Sequence, residues 1–443
     1  MPVFTINTNV SSEKIPKDFL SACTDAVAKC LKKPASYVAV HVNAGQQLSF
    51  GGDAQLPCAS CTLASIGSIS SAANKKSSSE LSALLESSLG IAPDRSYINF
   101  VDLQPSNVDV SLITHLILGF CEVRDDGRIG EGELSGEQNI KSVVALKKKN
   151  PSLKVLISVG GGGNGAGFGP MIRSEEKTET FVSSTISLIE EYCLDGVDLD
   201  WEFPSGSTER AGLVSLLEIF RERFDNHPMK PLLTVAVPAQ SPLVSKGYDV
   251  PKIAKAVDLV LIMTYDLHLF KWYLPFTGHN APLLPRRKEF SYFRTLNIKH
   301  SAKLWAKRGL PKNKLVVGVP TYGLTWKLLS SRWQKPFSPA IGAGPNGGYT
   351  TYPKVLNILS TNSGRMFWDR SSQSPYVITS DNIWISYDDA ESIRAKVKFI
   401  RESQFAGVMC FSLNSDDWNG DCGRETFPLH KTIYSELLLT DKL

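Results

Sequence analysis

The run Asp195-Gly-Val-Asp198-Leu-Asp200-Trp-Glu202 decides the fold of most of this 443-residue chain. Within it, acidic residues recur at every second position of an otherwise apolar segment, a period that predicts a β-strand. Asp198, Asp200 and Glu202 then share one face of the strand, and the apolar residues between them share the other. The apolar face is expected to pack against helices, which leaves the acids facing an enclosed interior.

Similar apolar runs continue on both sides of this strand. They cover residues 115–120, 154–160, 233–239, 259–265, 315–320 and 407–413. Near-continuous apolar strands that alternate with helical patterns indicate a parallel sheet. Together with 196–202 these runs give seven strands. The pattern therefore predicts a TIM-type (β/α)8 barrel whose first strand is unaccounted for. The Gly-, Pro- and aromatic-rich stretch from about 325 to 387 predicts an α+β insertion subdomain.

The first 105 or so residues follow a different pattern, which occurs twice. Strand patterns at 3–10 and 37–42 flank a helical pattern at 16–32, and strand patterns at 62–66 and 97–101 flank another at 79–89. This repetition predicts a duplicated βαβ domain over residues 1–108, followed by the barrel over residues 109–443. Both domains need a strand where 97–101 lies. We expect it to stay in the small domain and to leave the barrel incomplete.

Composition excludes several classes of function. The formal net charge is only +4 and basic residues form no blocks, so the chain has no electrostatic footprint for nucleic acid. No apolar window is long enough for a membrane span, and the N-terminus lacks a signal-peptide pattern, so we expect a soluble, leaderless chain. Cys58-Ala-Ser-Cys61 has no second pair to complete a zinc site, which leaves redox chemistry or small buried residues as interpretations.

Three carboxyl groups on one strand face are suited to proton transfer. Crowded, buried carboxylates cannot all ionise at ordinary pH, so their pKa values separate into those of an acid and a base. Glu202 lies at the end of the strand where barrel enzymes place their chemistry, and it is the candidate general acid. An acidic strand end facing solvent and a Mg²⁺ or Ca²⁺ site are the alternatives.

The acidic run resembles the DxxDxDxE signature of family 18 chitinases. Four further segments resemble that family: Ser158-Val-Gly-Gly161, Met263-Thr-Tyr-Asp266, Thr277 to Pro282 and Trp384 to Asp389. The resemblance implies hydrolysis of chitin or a related N-acetylglucosamine polymer, without metal or organic cofactor. It assigns proton donation to Glu202 and orientation of the substrate acetamide, the attacking group, to Asp200.

The same resemblance gives roles to several neighbouring residues. Asp198 would share a proton with Asp200, while Tyr265 and Asp266 would hydrogen-bond the acetamide. The substrate-binding candidates are Gly160, Gly161, Phe203, Met263 and Phe411. Three positions depart from the family: Gly162 and Phe411 stand where Trp is usual, and Phe203 stands where Tyr is usual. The loss of aromatic surface predicts weaker binding of sugar.

Residues 1–108 resemble macrophage migration inhibitory factor, a cytokine and keto-enol tautomerase. The segments that carry this resemblance include Met1 to Val10, Tyr37 to Val42, Cys58 to Cys61 and Asp94 to Asn99. It implies that Pro2, freed by removal of Met1, is a catalytic base. The pocket for an aromatic keto acid would be lined by Lys33, Ile66 and Asn99. The family's C-terminal tail is missing after Val108, which weakens the expectation of a trimer.

Three functional interpretations follow. The chain is a chitinase with an appended small domain, a tautomerase-like cytokine that carries a damaged barrel, or a chitin-binding lectin without turnover. The intact Glu202 favours the first. The N-terminal resemblance also implies a cell-surface receptor, a homo-oligomer and leaderless export to the extracellular space, with a cytoplasmic location as the alternative.

Overall fold

A computed structural model describes residues 2–65, 71–101, 103, 105–132, 135–287, 289–422 and 425–439. The chain forms two compact units, Met1–Gln104 with Gly344–Tyr349, and Pro105–Ala343 with Thr350–Leu443. The domain limits expected from the sequence, 1–108 and 109–443, stay predictions. In the described ranges no helix has the length and apolar character needed to cross a membrane.

The small unit consists of two βαβ units joined in one four-stranded sheet. Its elements are β1 Val3–Thr8, α1 Phe19–Leu31, β2 Ala39–Asn43, β3 Ala59–Ala64, α2 Ser71–Leu89 and β4 Ser96–Val101. The sheet order is β2-β1-β3-β4, in which β1–β2 and β3–β4 are parallel and β1–β3 is antiparallel. Alternate residues of β1 and the apolar faces of α1 and α2 form its core.

The structure shifts two predicted elements of this unit. The strand predicted at 62–66 begins at Ala59, because Ala59 pairs with Thr8 at the far end of β1. The helix predicted at 79–89 begins at Ser71. Its polar first half lacks the apolar spacing on which the prediction depended.

The described residues of the large unit form seven parallel strands. They are β5 His115–Val123, β7 Lys154–Gly160, β8 Gly196–Asp200, β9 Leu232–Pro238, β10 Leu259–Met263, β11 Leu315–Pro320 and β18 Gly407–Phe411, and the short β6 Ile129–Gly130 pairs antiparallel with β5. The helices of this unit are α3 Glu137–Val144, α4 Phe168–Met171, α5 Glu175–Tyr192, α6 Gly206–Asn226, α7 Ser241–Gly247, α8 Val250–Ala256, α9 Ile298–Lys307, α11 Tyr352–Ser360, α12 Ala390–Glu402 and α13 Pro428–Leu438. This alternation is that of a TIM-type barrel.

The insertion follows β11 as a separate antiparallel sheet. Its strands are β12 Tyr322–Leu328, β13 Ala340–Ala343, β14 Tyr349–Thr351, β15 Gly364–Asp369, β16 Ser374–Thr379 and β17 Ile383–Ser386, and a four-residue turn, α10 Pro345–Gly348, precedes β14. The strand order is β13-β12-β17-β16-β15, with β14 also paired to β12. The sheet begins at Tyr322 and ends at Ser386, close to the limits 325 and 387 predicted from composition.

The sheet of the large unit is an open arc. Its order is β18-β11-β10-β9-β8-β7-β5-β6, and in the described part of the chain no strand joins β18 to β5. Ser96–Val101 pairs instead with β3 of the small unit, in register from Ala59↔Ser96 to Ala64↔Val101. Residues of the end strands β5 and β18 are mostly only half-buried, whereas those of β7, β8 and β11 are almost entirely buried.

Candidate active site

The acids predicted to share one strand face do so. Strand β8 ends at Asp200, and Glu202 follows it, half-buried, two residues beyond. On the opposite face, Trp201 stacks on Phe168 of α4 with ring centroids 5.3 Å apart. The alternation therefore places the indole in the helix layer and the carboxyl groups in the interior of the barrel.

Asp198 is fixed by hydroxyl groups from the two neighbouring strands. Ser158 of β7 donates to Asp198 Oδ2 at 2.7 Å, and Thr234 of β9 donates to Asp198 Oδ1 at 2.6 Å. Burial raises the pKa of Asp198, and these two hydrogen bonds oppose the rise. Asp198 is thus held rigidly at the base of the acidic row.

Of the three acids, Asp200 has the most strongly raised pKa. Burial raises its pKa well above the ordinary value, and the charges of Asp198 and Glu202 add to the rise. Its Oδ1 atom is buried and has no hydrogen-bond partner among the described residues. A buried oxygen without a hydrogen-bond partner requires an explanation. Asp200 Oδ1 would gain a partner if a bound ligand formed a hydrogen bond to it.

Glu202 has the environment of a general acid. Burial raises the pKa of Glu202, and the charge of Asp266 raises it further. A carboxyl group kept protonated closer to neutral pH can donate its proton to a leaving group. A cavity of about 370 Å³ lies beside it, lined by Gly163, Trp201, Phe203 and Glu209 among others.

Tyr265 and Asp266 follow β10 and complete the charged group. Burial and, after it, the charge of Asp200 raise the pKa of Tyr265 well above its ordinary value. Asp266 accepts a hydrogen bond from Tyr322 Oη at 2.6 Å, and its backbone N–H donates to Asn280 Oδ1 at 2.7 Å. Burial raises the pKa of Asp266, and the bond from Tyr322 opposes this.

Two glycines allow the strands to approach each other at this end of the barrel. A Cβ atom on Gly160 would lie 2.1 Å from the carbonyl oxygen of Asp200, and one on Gly161 would lie 2.8 Å from the ring of Phe120. Both have positive φ, a conformation that favours glycine. The Ser158–Gly161 motif is therefore required by backbone contact as well as by the Ser158 hydroxyl.

Aromatic side chains line one end of the acidic row. Phe411 of β18 stacks on Tyr265 with centroids 5.8 Å apart and is 38% exposed. Phe203 and Met263, also predicted to bind substrate, are half-buried. Gly162 provides no ring, and its Cβ position would lie 3.8 Å from Glu202 Oε1. The reduced aromatic surface agrees with the departures noted in the sequence, and the role of these side chains in binding sugar stays a prediction.

Sequence analysis missed three residues of this site. Tyr322 was not identified as the partner of Asp266, and Thr234 was not identified as a partner of Asp198. Tyr248 is buried, its hydroxyl has no partner among the described residues, and the charges of Asp200 and Glu202 contribute to its raised pKa after burial. None of these three residues belongs to a recognised motif. In the sequence, each is marked only as a polar residue in or beside a strand or loop.

The small unit holds the second set of candidates. Pro2 and Lys33 are buried, and the carbonyl oxygen of Pro2 accepts from Ala39 N–H at 2.9 Å. Asn99 lies in β4 opposite Thr62, two strands away from Pro2. Ile66 lies outside the described residues. Burial raises the pKa of Cys61 to about 12, which disfavours thiolate chemistry at the Cys58–Cys61 pair.

A metal at the acidic row was the alternative interpretation. In the part of the chain that the structure describes, no group of three or more His, Cys, Asp or Glu residues has an arrangement that could hold a metal ion. The hydroxyl bonds to both oxygens of Asp198 instead favour proton chemistry.

Comparison with known proteins agrees with the geometry. Residues 94–416 match the model of the glycosyl hydrolases family 18. The chain belongs to this family. Residues 1–114 match the model of the macrophage migration inhibitory factor family, which confirms the second resemblance. Residues 94–114, which include β4, are thus matched by both families.

Relatives of this family 18 hydrolase include chitinases and a protein described as a pseudo-chitinase. Chitotriosidase-1 of Mus musculus is 34% identical over 76% of this chain and 74% of its own length. The group IV chitinase of Ostrinia furnacalis has a TM-score of 0.72 and 34% identity, over 76% of this chain and 95% of that one. Human YKL-39, described as a pseudo-chitinase that retains chitooligosaccharide binding, has a TM-score of 0.71 and 28% identity, over 76% and 94%.

Proposed function

We propose that this family 18 hydrolase cleaves β-1,4-linked N-acetylglucosamine polymers such as chitin, with retention of configuration. The observation that carries the proposal is the row of Asp198, Asp200 and Glu202, in which burial raises every pKa and only Asp198 has both oxygens bound by hydroxyl groups. This leaves Glu202 and Asp200 available to a substrate. Chitinases among the relatives support the choice of polymer.

In the proposed mechanism Glu202 donates its proton to the glycosidic oxygen as the bond to the anomeric carbon breaks. The carbonyl oxygen of the substrate's acetamide forms the new bond to that carbon, and Asp200 orients the acetamide through its N–H. Tyr265 and Asp266 hold the acetamide from the other side. Glu202 then accepts a proton from water, which opens the cyclic intermediate on the original face.

The test of this proposal is turnover of a fluorogenic chitobiose or chitotriose glycoside by the full chain, with the anomer of the first product read by NMR. We expect hydrolysis with the β-anomer formed first. Binding of chitin oligosaccharide without turnover would instead support the lectin interpretation, the behaviour described for YKL-39. An α-anomer as the first product would contradict the substrate-assisted route.

Replacing Tyr322 by Phe should lower kcat/KM by about tenfold or more, because it removes a hydrogen bond to a charged carboxyl group, an interaction of about 1.5–3 kcal/mol. The bond from Tyr322 also opposes the raised pKa of Asp266. Tyr376→Phe, a buried tyrosine of the insertion sheet, is the matched control. Equal kcat/KM in the two variants would show that Tyr322 does not position Asp266.

A second candidate function belongs to the small unit, where the family match and the burial of Pro2 and Lys33 support keto-enol tautomerisation of an aromatic keto acid. The amine of Pro2, once Met1 is removed, would be the base, and an apolar setting lowers the pKa of such an amine. A cell-surface receptor, a homo-oligomer and leaderless export remain proposals based on the same family.

Blocking the amine of Pro2, either by a retained Met1 or by acetylation, should abolish tautomerase activity toward phenylpyruvate. The nitrogen of Pro2 is then an amide nitrogen, which is not basic. The measurement compares a chain whose Met1 has been removed with one whose N-terminal amine is acetylated. Chitinolytic activity of the two preparations is the internal control and should be equal. A blocked chain with full tautomerase activity would show that Pro2 is not the base.

A further inference from the structure

The loop after β10 contains a buried asparagine, Asn280, which is 1% exposed and uses every polar group it has. Asn280 Oδ1 accepts from the backbone N–H of Asp266 at 2.7 Å, and its carbonyl oxygen accepts from the N–H of Leu267 at 3.0 Å. Its own N–H donates to Ser386 Oγ at 2.8 Å, and Nδ2 donates to the carbonyl oxygen of Tyr322 at 3.3 Å. One residue thus joins the chain beyond β10 to two strands of the insertion sheet.

The orientation of the Asn280 amide is fixed by the groups around it. An N–H group bonds only to an acceptor, and a carbonyl oxygen bonds only to a donor. With the amide reversed, its NH2 group would face the N–H of Asp266, and its oxygen would face the carbonyl oxygen of Tyr322. Both contacts would then be repulsive, so the side chain has a single favourable orientation.

Asp266 needs support because its backbone is left-handed. Its φ is 53°, in a region that is disfavoured for residues with a Cβ atom. Strand β10 ends at Met263, and the N–H groups of Asp266 and Leu267 both donate to Asn280. A strained backbone conformation persists only where its surroundings fix it, and at Asp266 those two bonds do so.

Asn280 also holds the partner of the Asp266 carboxyl group. Tyr322 Oη donates to Asp266 Oδ1 at 2.6 Å, and the bonds of Asn280 to both residues close a ring of three hydrogen bonds. Tyr322 begins β12 and Ser386 ends β17, two strands that pair with each other. The insertion sheet is therefore tied to Asp266 through Asn280.

We propose that Asn280 is a positioning residue for hydrolysis, which holds the carboxyl group of Asp266 in the orientation from which it bonds the substrate's acetamide. This inference rests on the proposed function for the role of Asp266. Asn280 acts through Asp266 and Tyr322, because all its polar groups are bonded to the protein. Its effect falls on the attack of the acetamide, a step that depends on orientation, more than on binding of the sugar chain.

The first test is kcat and KM of Asn280→Ala on a fluorogenic chitotrioside, at a temperature where every variant is folded. We expect kcat to fall by about tenfold or more and KM to change by less than about threefold, because a misplaced group is felt mainly in the transition state. An unchanged kcat would overturn the proposal.

Asn297→Ala is the matched control. Asn297 is also 1% exposed, and its side chain donates to the carbonyl oxygen of Arg294 and accepts from the N–H of His300, both at 2.9 Å. This variant should lower Tm, because Asn297 caps α9, and leave kcat unchanged. An equal fall of kcat in both variants would contradict a specific role for Asn280.

Asn280→Asp tests the bonds themselves. When protonated, the new carboxyl group can accept from Asp266 and donate to Tyr322 as the amide does, whereas the ionised group can only accept. The kcat of this variant relative to the unmodified chain should therefore be higher at about pH 5 than at about pH 8, and the ratio for Asn280→Ala should be the same at both. A ratio for Asn280→Asp that is equally low at both pH values would contradict the proposal.

A crystal structure of Asn280→Ala tests the inference without turnover and so separates it from the proposed function. We expect Asp266 to leave the left-handed region or to lose the bond from Tyr322. Persistence of both features would overturn the inference even if the unmodified chain hydrolyses chitin. If Asn280→Ala does not fold, the structure and the pH dependence of Asn280→Asp decide the question. Absence of hydrolysis by the unmodified chain would instead refute the proposed function.

Discussion

Replacing Glu202 by Gln is expected to abolish hydrolysis of chitin oligosaccharides while leaving their binding nearly intact. The amide has almost the same shape as the carboxyl group but cannot donate the proton that the departing oxygen needs. General acid catalysis contributes about 10²–10⁴-fold, so kcat should fall by at least two orders of magnitude. Its place just beyond the end of β8, together with its raised pKa, suits Glu202 to this step.

The measurement is kcat and KM on a fluorogenic chitotrioside, with calorimetric titration of chitotetraose for binding. Glu218→Gln, on the exposed side of α6, is the matched control and should behave like the unmodified chain. Hydrolysis by the Glu202→Gln chain at the unmodified rate would remove Glu202 as the acid and, with it, the assignment of the row. Loss of binding together with turnover would indicate structural damage instead.

Replacing Asp200 by Asn is expected to lower kcat by about a hundredfold and, at the same time, to stabilise the large unit at neutral pH. The folded chain holds the pKa of Asp200 well above its ordinary value, because of burial and the charges of Asp198 and Glu202. Between the ordinary pKa and the raised one, the folded chain holds a proton that the unfolded chain releases, so stability falls as pH rises through this range. Asn removes this effect together with the carboxyl group that orients the acetamide.

The sign of this effect gives the prediction a second test. The stability that the protonated Asp200 contributes is fully present below its unfolded pKa, near the ordinary value of 3.8, and is lost as pH rises through the folded pKa. The gain in Tm of Asp200→Asn should thus be present at pH 7 and absent at pH 3.5. Asp125→Asn, in an exposed turn, should show neither effect. A gain in Tm of equal size at both pH values would argue against a raised pKa.

The acidic row could be predicted because alternate residues of a strand lie on the same face, so the sequence alone shows which side chains share it. Asp198, Asp200 and Glu202 followed from alternation alone, as did the packing of Trp201 against a helix. Tyr322 and Thr234 could not be predicted, because they reach the site through the order of strands in the sheet. Alternation within a single strand does not encode which strand lies beside it.

The strand at residues 97–101 was harder to assign, because both domains need a strand at this point of the chain. Both family models cover this segment, so resemblance alone cannot place it. Its register with β3, continuous over six pairs, places it in the small sheet. Short polar connections and helical stretches outside the motifs, such as the first half of α2, were predicted least well because no apolar period marks them.

Over the residues that the structure describes, the sheet of the large unit is an open arc, and this has a mechanical consequence. In a closed ring, a displacement of any strand is resisted from both directions, whereas the last strands of an arc are supported from one direction only. The acids of β8 lie near the middle of the arc, and Phe411 of β18 and Phe120 of β5 lie at its ends. We therefore expect the acids to be held more rigidly than the aromatic side chains proposed to bind sugar. We expect this difference in rigidity to raise KM more than it lowers kcat.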